Sequence, residues 1–227
     1  MITSLINLFF PKVCAGCNAF LLENENVICT ACRHEIPLTN HHLNPENEAF
    51  KKFYGKIPVV HAVTFMYYNK KGIVQEMIHK LKYKGREEIG EVLGNWYAPD
   101  LVKLFIDDPI DAIIPVPLHK KRLRERGYNQ VTTFGNALSQ RMLVPVDETL
   151  LYRTSYSKTQ TRKTLLGRIE VNKTLFDVQF TDADHFKHFL LIDDVLTTGS
   201  TLEACARALL KIPGAKISVA CMAMSHS

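Results

Sequence analysis

Several common signatures of function are absent from this 227-residue sequence. It contains no run of 18 apolar residues, so we expect no membrane-spanning helix. The first 14 residues, MITSLINLFFPKVC, are apolar but lack a basic start and a small-residue cleavage site. We therefore expect a short helix packed on its own domain there, and not a signal peptide. Neither GxxxxGK(S/T) nor GxGxxG occurs, which argues against a P-loop and against a dinucleotide-binding fingerprint.

The composition is that of an ordinary globular protein, with 46% hydrophobic and 22% charged residues and no internal repeat or low-complexity tract. A chain of this length can bury one sizeable core and still carry a small appendage. The net charge of +5 is mildly basic. That charge is compatible with an anionic small molecule or with a nucleic acid as ligand, and it does not decide between them.

Four of the six cysteines lie within 19 residues, as the pairs Cys14-x2-Cys17 and Cys29-x2-Cys32. Each CxxC pair presents two sulfurs to one point, and the 11 residues between Cys17 and Cys29 suffice for a hairpin that brings the second pair back. Four thiolates arranged in this way bind Zn²⁺ tetrahedrally, so we predict a structural zinc site with all four as ligands. Another metal, a redox-active pair and unrelated thiols are the alternatives.

The remaining cysteines and the nearby histidines are not expected to bind metal. Cys205 and Cys221 lie in apolar surroundings, which predicts buried small side chains. Because four sulfurs already close the zinc site, we expect His34, His41 and His42 to be solvated or linker residues. Since no export signal is present, we expect a reducing cytoplasm, where paired CxxC motifs indicate metal more often than disulfides.

Composition and periodicity divide the chain into a cysteine-rich module at residues 1–45 and a larger domain at 46–227, with the polar stretch 40–56 as a linker. In the larger domain strands alternate with helices, which predicts an α/β fold with a Rossmann-like, mostly parallel sheet flanked by helices. The predicted strands cover residues 59–68, 110–117, 146–153, 188–195 and 216–224, and the predicted helices cover 72–83, 87–105, 129–142 and 199–211. We expect Pro99 to break the second of these helices. Residues 154–173 are polar and lack periodicity, which predicts a mobile loop.

The stretch LLIDDVLTTGSTL, residues 190–202, ends a buried strand in two aspartates and follows them with a turn of Thr, Gly and Ser. In open α/β sheets ligands bind at the carboxyl ends of strands, where Asp193 and Asp194 are expected. Residues 197–201 should begin a helix, and their N–H groups, hydroxyls and helix dipole form a phosphate site. A plain strand end with a helix cap accounts for one aspartate and one hydroxyl, but not for two aspartates and four hydroxyls. A Walker B strand would need the P-loop that is absent.

LLIDDVLTTGST resembles the phosphoribosyl pyrophosphate (PRPP) motif of type I phosphoribosyltransferases, which implies their fold for the larger domain. Residues 113–130, IIPVPLHKKRLRERGYNQ, are similar to the pyrophosphate-loop region, and residues 158–172, KTQTRKTLLGRIEVN, to the flexible loop that closes over the active site. A four-cysteine zinc-ribbon module followed by these three segments resembles the ComF family, which includes competence proteins linked to DNA uptake. The phosphoribosyltransferase half of amidophosphoribosyltransferase is similar as well, but that enzyme carries an N-terminal glutaminase domain instead.

The resemblance implies a set of ligand-binding residues. Asp193 and Asp194 would bind the ribose hydroxyls and, with Arg162, form the catalytic set. The other residues implied to contact PRPP are Val195, Thr197, Thr198, Gly199, Ser200 and Thr201 near the 5′-phosphate, and Pro117, Leu118, Arg122 and Arg126 near the pyrophosphate. Mg²⁺ would accompany the pyrophosphate, because negative charge grows on that leaving group when its bond to the ribose breaks. For each arginine, a solvated surface charge is the alternative.

Two classes of function remain open. The first is a Mg²⁺-dependent phosphoribosyltransferase, a pentosyltransferase of the glycosyltransferase class, whose acceptor no segment identifies. The second is a binding module in which PRPP or a nucleotide is a regulatory ligand and basic segments hold single-stranded DNA or a protein of the competence machinery. Tyr83 and Tyr128 lie within basic runs, where they could stack on bases. The cluster of Lys82, Lys84 and Arg86 is interpreted as a helix-end cap or a solvated face.

Overall fold

A computed structural model of the protein describes residues 11–154 and 175–225. The N-terminal helix predicted for the first residues and the flexible loop predicted at 158–172 fall largely or wholly outside this part of the chain. Within it, no helix is both long enough and apolar enough to cross a membrane.

The helices and strands follow the order expected for an α/β chain. The helices are α1 (Thr30–Glu35), α2 (Glu48–Lys51), α3 (Ile73–Tyr83), α4 (Glu88–Leu104), α5 (Lys120–Arg126), α6 (Thr132–Met142) and α7 (Ser200–Leu209). The strands are β1 (Ala62–Tyr68), β2 (Ala112–Pro115), β3 (Leu151–Arg153), β4 (Phe176–Val178), β5 (His188–Leu196) and β6 (Lys216–Ser225).

Four of the strands form a parallel sheet in the order β1-β6-β5-β2. In β5 the alternate residues Phe189 and Leu191 pack into one core, while Leu190 and Ile192 pack into another on the opposite face. Such a strand, buried on both sides, is typical of a parallel sheet between two layers of helices. The predicted mostly parallel sheet flanked by helices is confirmed. β3 and β4 pair antiparallel in a separate two-stranded sheet.

Each face of the sheet has its own hydrophobic core. Helices α3, α4 and α6 cover one face, and the cysteine-rich segment packs into that same core through residues such as Ala15 and Ile28. Helices α2 and α7 and the β3–β4 sheet cover the other face. The cysteine-rich segment therefore shares its core with α3 and α4, while the division into domains at residue 45 stays a prediction.

Pro99 does not break the helix that contains it, contrary to the prediction. Helix α4 runs from Glu88 to Leu104 through this residue. Proline removes the N–H that would bond to the carbonyl four residues earlier, and its ring crowds that carbonyl. Tyr97, Ala98 and Leu101 on either side of Pro99 are almost fully buried, and their packing keeps the helix continuous.

The stretch predicted as a linker, residues 40–56, is packed against the sheet. It contains a 3-10 helix at His41–Leu43 and helix α2, and Phe53 is fully buried. His41, predicted to be solvated or part of a linker, is only 4% exposed, and its Nδ1 lies 3.1 Å from Thr64 Oγ1. The polar sequence misleads here because the apolar residues that anchor it are few and widely spaced.

Candidate functional site

The sulfurs of Cys14, Cys17, Cys29 and Cys32 form one cluster, in which all lie within 4.8 Å of one another. The Cys17 and Cys29 sulfurs are 3.7 Å apart. Sulfurs bonded to zinc at about 2.3 Å in a tetrahedron lie about 3.8 Å from one another, so the cluster has the dimensions of that site. Donor type, number and spacing therefore fit Zn²⁺.

Backbone N–H groups support the thiolate form of one of these ligands. Gly16 N and Cys29 N each donate to Cys14 Sγ at 3.3 Å. Burial opposes ionisation of this thiol, but the N–H groups of Cys29, Cys17 and Gly16 outweigh burial and lower the pKa of Cys14 from 9.0 to about 6. Because the thiolate is the metal-binding form, this environment suits a ligand, and a set of four protein ligands is typical of a structural site.

A second group of functional side chains lies at the carboxyl edge of the parallel sheet and surrounds a cavity of about 430 Å³. Its walls come from the end of α3, from residues 116–130, from the end of β3 and from the β5–α7 segment. The lining residues are Lys82, Val116, Pro117, Leu118, His119, Arg122, Arg126, Gln130, Arg153, Asp193, Asp194 and Thr201. The cavity lies where ligands bind in open α/β sheets.

Many of the residues predicted to bind ligand meet at this cavity. Those that line it are Pro117, Leu118, Arg122, Arg126, Asp193, Asp194 and Thr201. Those that adjoin it along the β5–α7 segment without lining it are Val195, Thr197, Thr198, Gly199 and Ser200. Arg162 lies outside the described residues. The individual roles of these residues in ligand binding stay predictions.

The adjacent aspartates both line the cavity, although successive side chains of a regular strand point to opposite sides. Asp193 Oδ1 accepts a hydrogen bond from Asp194 N at 2.8 Å. Burial of its carboxyl group and the neighbouring Asp194 charge raise the pKa of Asp193 to about 7, and Lys82 opposes part of this rise. Near neutral pH this carboxyl is therefore only partly ionised, and a bound hydroxyl donor or cation would favour its charged form.

Both carboxylate oxygens of the buried Asp194 have partners. Lys82 Nζ lies 2.7 Å from Oδ1, and Gln130 Nε2 donates to Oδ2 at 2.5 Å. Gln130 Oε1 in turn accepts a hydrogen bond from Arg126 Nη1 at 2.5 Å. A continuous polar chain thus connects α3, the carboxylate and an arginine predicted to bind pyrophosphate, and it fixes the orientation of Asp194.

The sequence KKRLRER in the predicted pyrophosphate region forms helix α5 and not a loop. His119 Nδ1 accepts the Lys121 N–H at 3.1 Å and caps the first turn, and Gly127 ends the helix with φ of 81°. No side chain of α5 is buried, so its cations face solvent or the cavity. Asn129 Nδ2 donates to Val116 O at 3.1 Å and joins the segment after the helix to the end of β2.

The Thr-Gly-Ser turn that connects β5 to α7 leaves its hydroxyl groups accessible. Gly199 has a left-handed φ of 82°, and Thr198 Oγ1 lies 3.0 Å from Ser200 Oγ. A Cβ atom on Gly199 would meet the Phe53 ring at 3.3 Å. The turn therefore requires glycine for its backbone conformation, and the ring of Phe53 supports it from the protein interior.

A smaller cavity of about 240 Å³ adjoins the first and shares Lys82, Arg122 and Arg126 with it. The rest of its wall consists of Tyr83, Gly85, Glu125 and Tyr128. The Tyr83 side chain is 63% exposed, and the Arg126 guanidinium lies 5.1 Å from its ring centre. An exposed aromatic ring surrounded by cations is thus next to the main cavity.

Sequence reasoning missed Lys82 and Gln130, the two side chains that hold Asp194. The interpretation of Lys82 as a cap or a solvated cation is wrong, because its side chain is only 21% exposed and pairs with a buried carboxylate. Its place at the end of an ordinary amphipathic helix gives no local signal. Gln130 could have been found, since it closes the segment 113–130 that carries the resemblance to the pyrophosphate region.

Comparison with known proteins agrees with the resemblance carried by the β5–α7 segment. The phosphoribosyl transferase domain family matches residues 132–227. The chain is 26% identical over 211 residues to Competence protein ComFC of Bacillus subtilis, a match that covers 85% of this chain and 81% of that protein. It is 27% identical over 213 residues to DNA utilization protein YhgH of Escherichia coli, covering 92% and 89%. Competence protein F of Haemophilus influenzae is 33% identical over 110 residues, covering 48% of each.

Proposed function

We propose that the chain is a phosphoribosyltransferase-like protein of the ComF type and that its carboxyl-edge cavity binds PRPP together with Mg²⁺. The observation that carries this proposal is the distribution of charge around one cavity. Asp193, Asp194 and Thr201 of the hydroxyl-rich turn line this cavity together with Arg122 and Arg126. A ligand with hydroxyls in its middle and phosphates at both ends complements this distribution.

Asp193 and Asp194 have different roles in this proposal. One carboxylate oxygen of Asp193 has no hydrogen-bond partner among the described residues, and it accepts hydrogen bonds from the ribose hydroxyls. These bonds offset the burial that, with the Asp194 charge, raises the pKa of Asp193 to about 7. Asp194 is held by Lys82 and Gln130 and presents its remaining lone pairs in a fixed direction. The accessible hydroxyls and N–H groups of residues 197–201, at the N-terminus of α7, bind the 5′-phosphate.

We assign the pyrophosphate end of the ligand to the arginines that line the cavity. Arg122 and Arg126 bind it from the described part of the chain, and Arg162, which lies outside that part, is proposed to bind it as well. Asp193 and the pyrophosphate would hold Mg²⁺, which would stabilise the charge that develops on the leaving group. In a transfer reaction the bond from ribose C1 to pyrophosphate breaks, and a bond from C1 to the acceptor forms.

An assay of enzymatic turnover tests whether the protein transfers phosphoribosyl and to which acceptor. Zinc-loaded protein, PRPP and Mg²⁺ are incubated with a panel of nucleobases and amines, including glutamine and ammonia, and pyrophosphate release is measured. Release that requires one acceptor and disappears in Asp193→Asn supports a phosphoribosyltransferase. Binding of PRPP with no release above the rate without acceptor would reject transferase activity toward this panel and favour a regulatory ligand.

A second candidate function is the handling of single-stranded DNA in natural competence, alone or with other proteins of that machinery in a reducing cytoplasm. It is favoured by the surface beside the cavity, where α5 exposes its cations and Tyr83 presents an exposed ring. Aromatic rings beside cations are what single strands stack on. The names of two relatives, which refer to competence and to DNA utilization, fit this reading.

Gel-shift titration over a range of salt concentrations tests the DNA candidate. We expect binding that weakens steeply with salt, because each phosphate neutralised on a single strand releases about 0.7 counterion. Replacing Lys120, Lys121 and Arg124 with Glu should weaken DNA binding further. The affinity for PRPP should change by less than about twofold, because salt screens the charges of exposed side chains. Absence of a shifted band at low salt would reject the candidate.

A further inference from the structure

One helix joins the cysteine cluster to the carboxyl-edge cavity. At its start, Ile73 of α3 packs so closely on the first CxxC turn that a Cβ atom on Gly16 would lie 2.6 Å from its side chain. Near its end, Lys80 Nζ donates to Cys14 O at 3.2 Å, to Ala15 O at 3.0 Å and to Asn18 Oδ1 at 2.6 Å. Helix α3 is therefore attached to the metal-binding turn along its length.

The same final turn of α3 also makes contacts in the cavity. Lys82 Nζ lies 2.7 Å from Asp194 Oδ1. The carbonyl of Leu81 accepts a hydrogen bond from the Tyr128 hydroxyl, and the Tyr83 ring lies under the Arg126 guanidinium. Residues 80 to 83 thus contact the cysteine cluster on one side and the cavity on the other.

The contacts of Lys80 depend on the shape of the metal-binding turn. Its side chain is only 11% exposed, so its ammonium group needs partners in place of water. The turn that begins at Cys14 brings together three of them, the Cys14 and Ala15 carbonyls and Asn18 Oδ1, and the fourth is Glu76 of the same helix at 3.6 Å. Without the turn, the ammonium would keep only Glu76, near the end of a helix where the backbone is least restrained.

We infer that Lys80 is a positioning residue through which the metal-loaded cysteine cluster holds Lys82 in the phosphoribosyl site. The inference rests on the proposed function for its ligand, but the coupling itself is a property of the free protein. Lys80 touches no part of the cavity, and it acts by holding the final turn of α3 in place. The cysteine cluster thereby acquires a role in ligand binding although none of its residues lines the cavity.

The test uses Lys80→Met in the full, zinc-loaded chain, because methionine keeps the apolar stem and removes the ammonium. Zinc content, amide hydrogen exchange and the dissociation constant for PRPP with Mg²⁺ are measured. We expect one zinc per chain, exchange at residues 81–84 faster by about tenfold, and a PRPP dissociation constant raised by about fivefold. Asn18→Gly removes one partner and suits the left-handed φ of 64° at that residue, so it should give smaller changes in the same direction.

A double-mutant cycle with Lys82→Met separates positioning from a loss of stability. If Lys80 acts through Lys82, Lys80→Met should change PRPP affinity by less than about twofold when Lys82 is already absent. Phe105→Leu is the matched control for stability, since it loosens a buried contact with His188 away from the cavity and should leave affinity unchanged.

The outcomes separate the inference from the proposed function. Wild-type exchange at residues 81–84 and wild-type affinity in zinc-loaded Lys80→Met would overturn the inference, as would an equal loss of affinity with and without Lys82. Failure of the wild-type protein to bind PRPP would reject the proposed function alone. In that case faster exchange at residues 81–84 and at the Asp194 amide in Lys80→Met would still support the coupling, and unchanged exchange would reject it. If Lys80→Met does not fold, Asn18→Gly decides by the same readouts.

Discussion

The cysteine cluster and the carboxyl-edge cavity are both suited to charged ligands, but they are assembled differently from the chain. The cluster takes four ligands of one type from 19 consecutive residues, and three of the four are buried. The cavity takes acids, cations and hydroxyls from distant parts of the chain and stays open to solvent. In the cluster, the charges fit one small ion. In the cavity, Asp193 is left with a pKa of about 7, so its charge is not balanced by the protein alone.

This difference is the one expected between a structural metal site and a ligand-binding site. A closed set of four thiolates has no position for a substrate, and its energy goes into folding. An open site with unbalanced charge costs stability in the free protein and recovers it when ligand binds. The predictions below test each half of this contrast, beginning with the largest expected effect.

Loss of the metal should have the largest effect. Structural zinc contributes about 10–16 kcal/mol in isolated zinc peptides, and the cysteine-rich segment buries its few apolar residues only in the core that it shares with α3 and α4. We therefore expect Cys32→Ser, or chelation, to remove amide protection from residues 13–36 and to loosen α3, while the rest of the sheet still unfolds cooperatively. Metal analysis and hydrogen exchange are the measurements.

Cys205→Ser is the matched control, because it makes the same chemical change at a fully buried cysteine outside the cluster. It should lower stability and keep one zinc per chain. Less than half a zinc per chain in carefully purified wild-type protein would contradict the structural role of the cluster.

Removal of the acidic pair should have the next largest effect, which is on ligand binding, without unfolding the chain. Hydrogen bonds to charged groups contribute about 1.5–3 kcal/mol each, so Asp193→Asn or Asp194→Asn should weaken PRPP binding by about tenfold to a hundredfold. Calorimetric titration measures this. Asp177→Asn, which breaks an exposed pair with Lys211, is the control and should bind as wild type. Unchanged affinity in the double variant would refute the assignment of these residues to ribose.

The unbalanced charge of Asp193 should be visible in the pH dependence of stability. Its pKa is raised from 3.8 to about 7, so the folded protein holds this proton over a range in which the unfolded chain has lost it. The contribution of Asp193 to the free energy of unfolding is therefore present below about pH 4 and is lost as pH rises to about 7. Asp193→Asn removes this pH-dependent loss of stability. Its Tm should exceed that of wild type by about 2–4 °C at pH 8 and by much less at pH 4.5.

Other groups should not obscure that difference. The pKa values of His41, His61 and His188 are lowered, mainly by burial, so these residues add stability as pH rises, in wild type and variant alike. Subtracting the two melting profiles removes their contribution. A difference in Tm that does not change between pH 4.5 and pH 8 would show that Asp193 is not the strained group.

The smallest effect is expected from the glycine of the turn. Gly199→Ala and Gly55→Ala both place a Cβ atom at left-handed φ, 82° and 71°, which costs roughly 1–2 kcal/mol. An added Cβ would meet no atom within 4 Å at Gly55, whereas at Gly199 it would meet the Phe53 ring. Chemical denaturation should therefore find Gly199→Ala the more destabilised variant, and only that variant should lose affinity for a phosphate ligand. Equal losses in both would show that the turn tolerates a side chain.

The contiguous parts of the fold and of the site could be predicted from the sequence. The buried strand, the acidic pair and the Thr-Gly-Ser turn follow one another within 13 residues. The two cysteines of each CxxC pair are separated by only two residues. Local spacing alone therefore places these groups together. The alternation of apolar segments likewise predicts the parallel sheet, because it depends on short-range periodicity.

The remaining features depend on how distant elements pack. Lys82 meets Asp194 only because α3 ends above β5, and no residue near position 82 encodes that placement. His41 is buried against β1, where Thr64 provides a hydrogen-bond partner for its Nδ1 in place of water. Strand β4 has three residues, which is too few for a periodic pattern, and its pairing with β3 is antiparallel in an otherwise parallel fold.

Mapping where PRPP binds is the most direct test of the central claim. Amide chemical shifts of the zinc-loaded chain are recorded while PRPP and Mg²⁺ are added. We predict that shifts change at residues 193–201, at 116–130 and at Lys82, and that these changes disappear in the Asp193→Asn, Asp194→Asn double variant. Saturating PRPP that leaves these residues unchanged, or that shifts only residues away from the carboxyl edge of the sheet, would contradict the account.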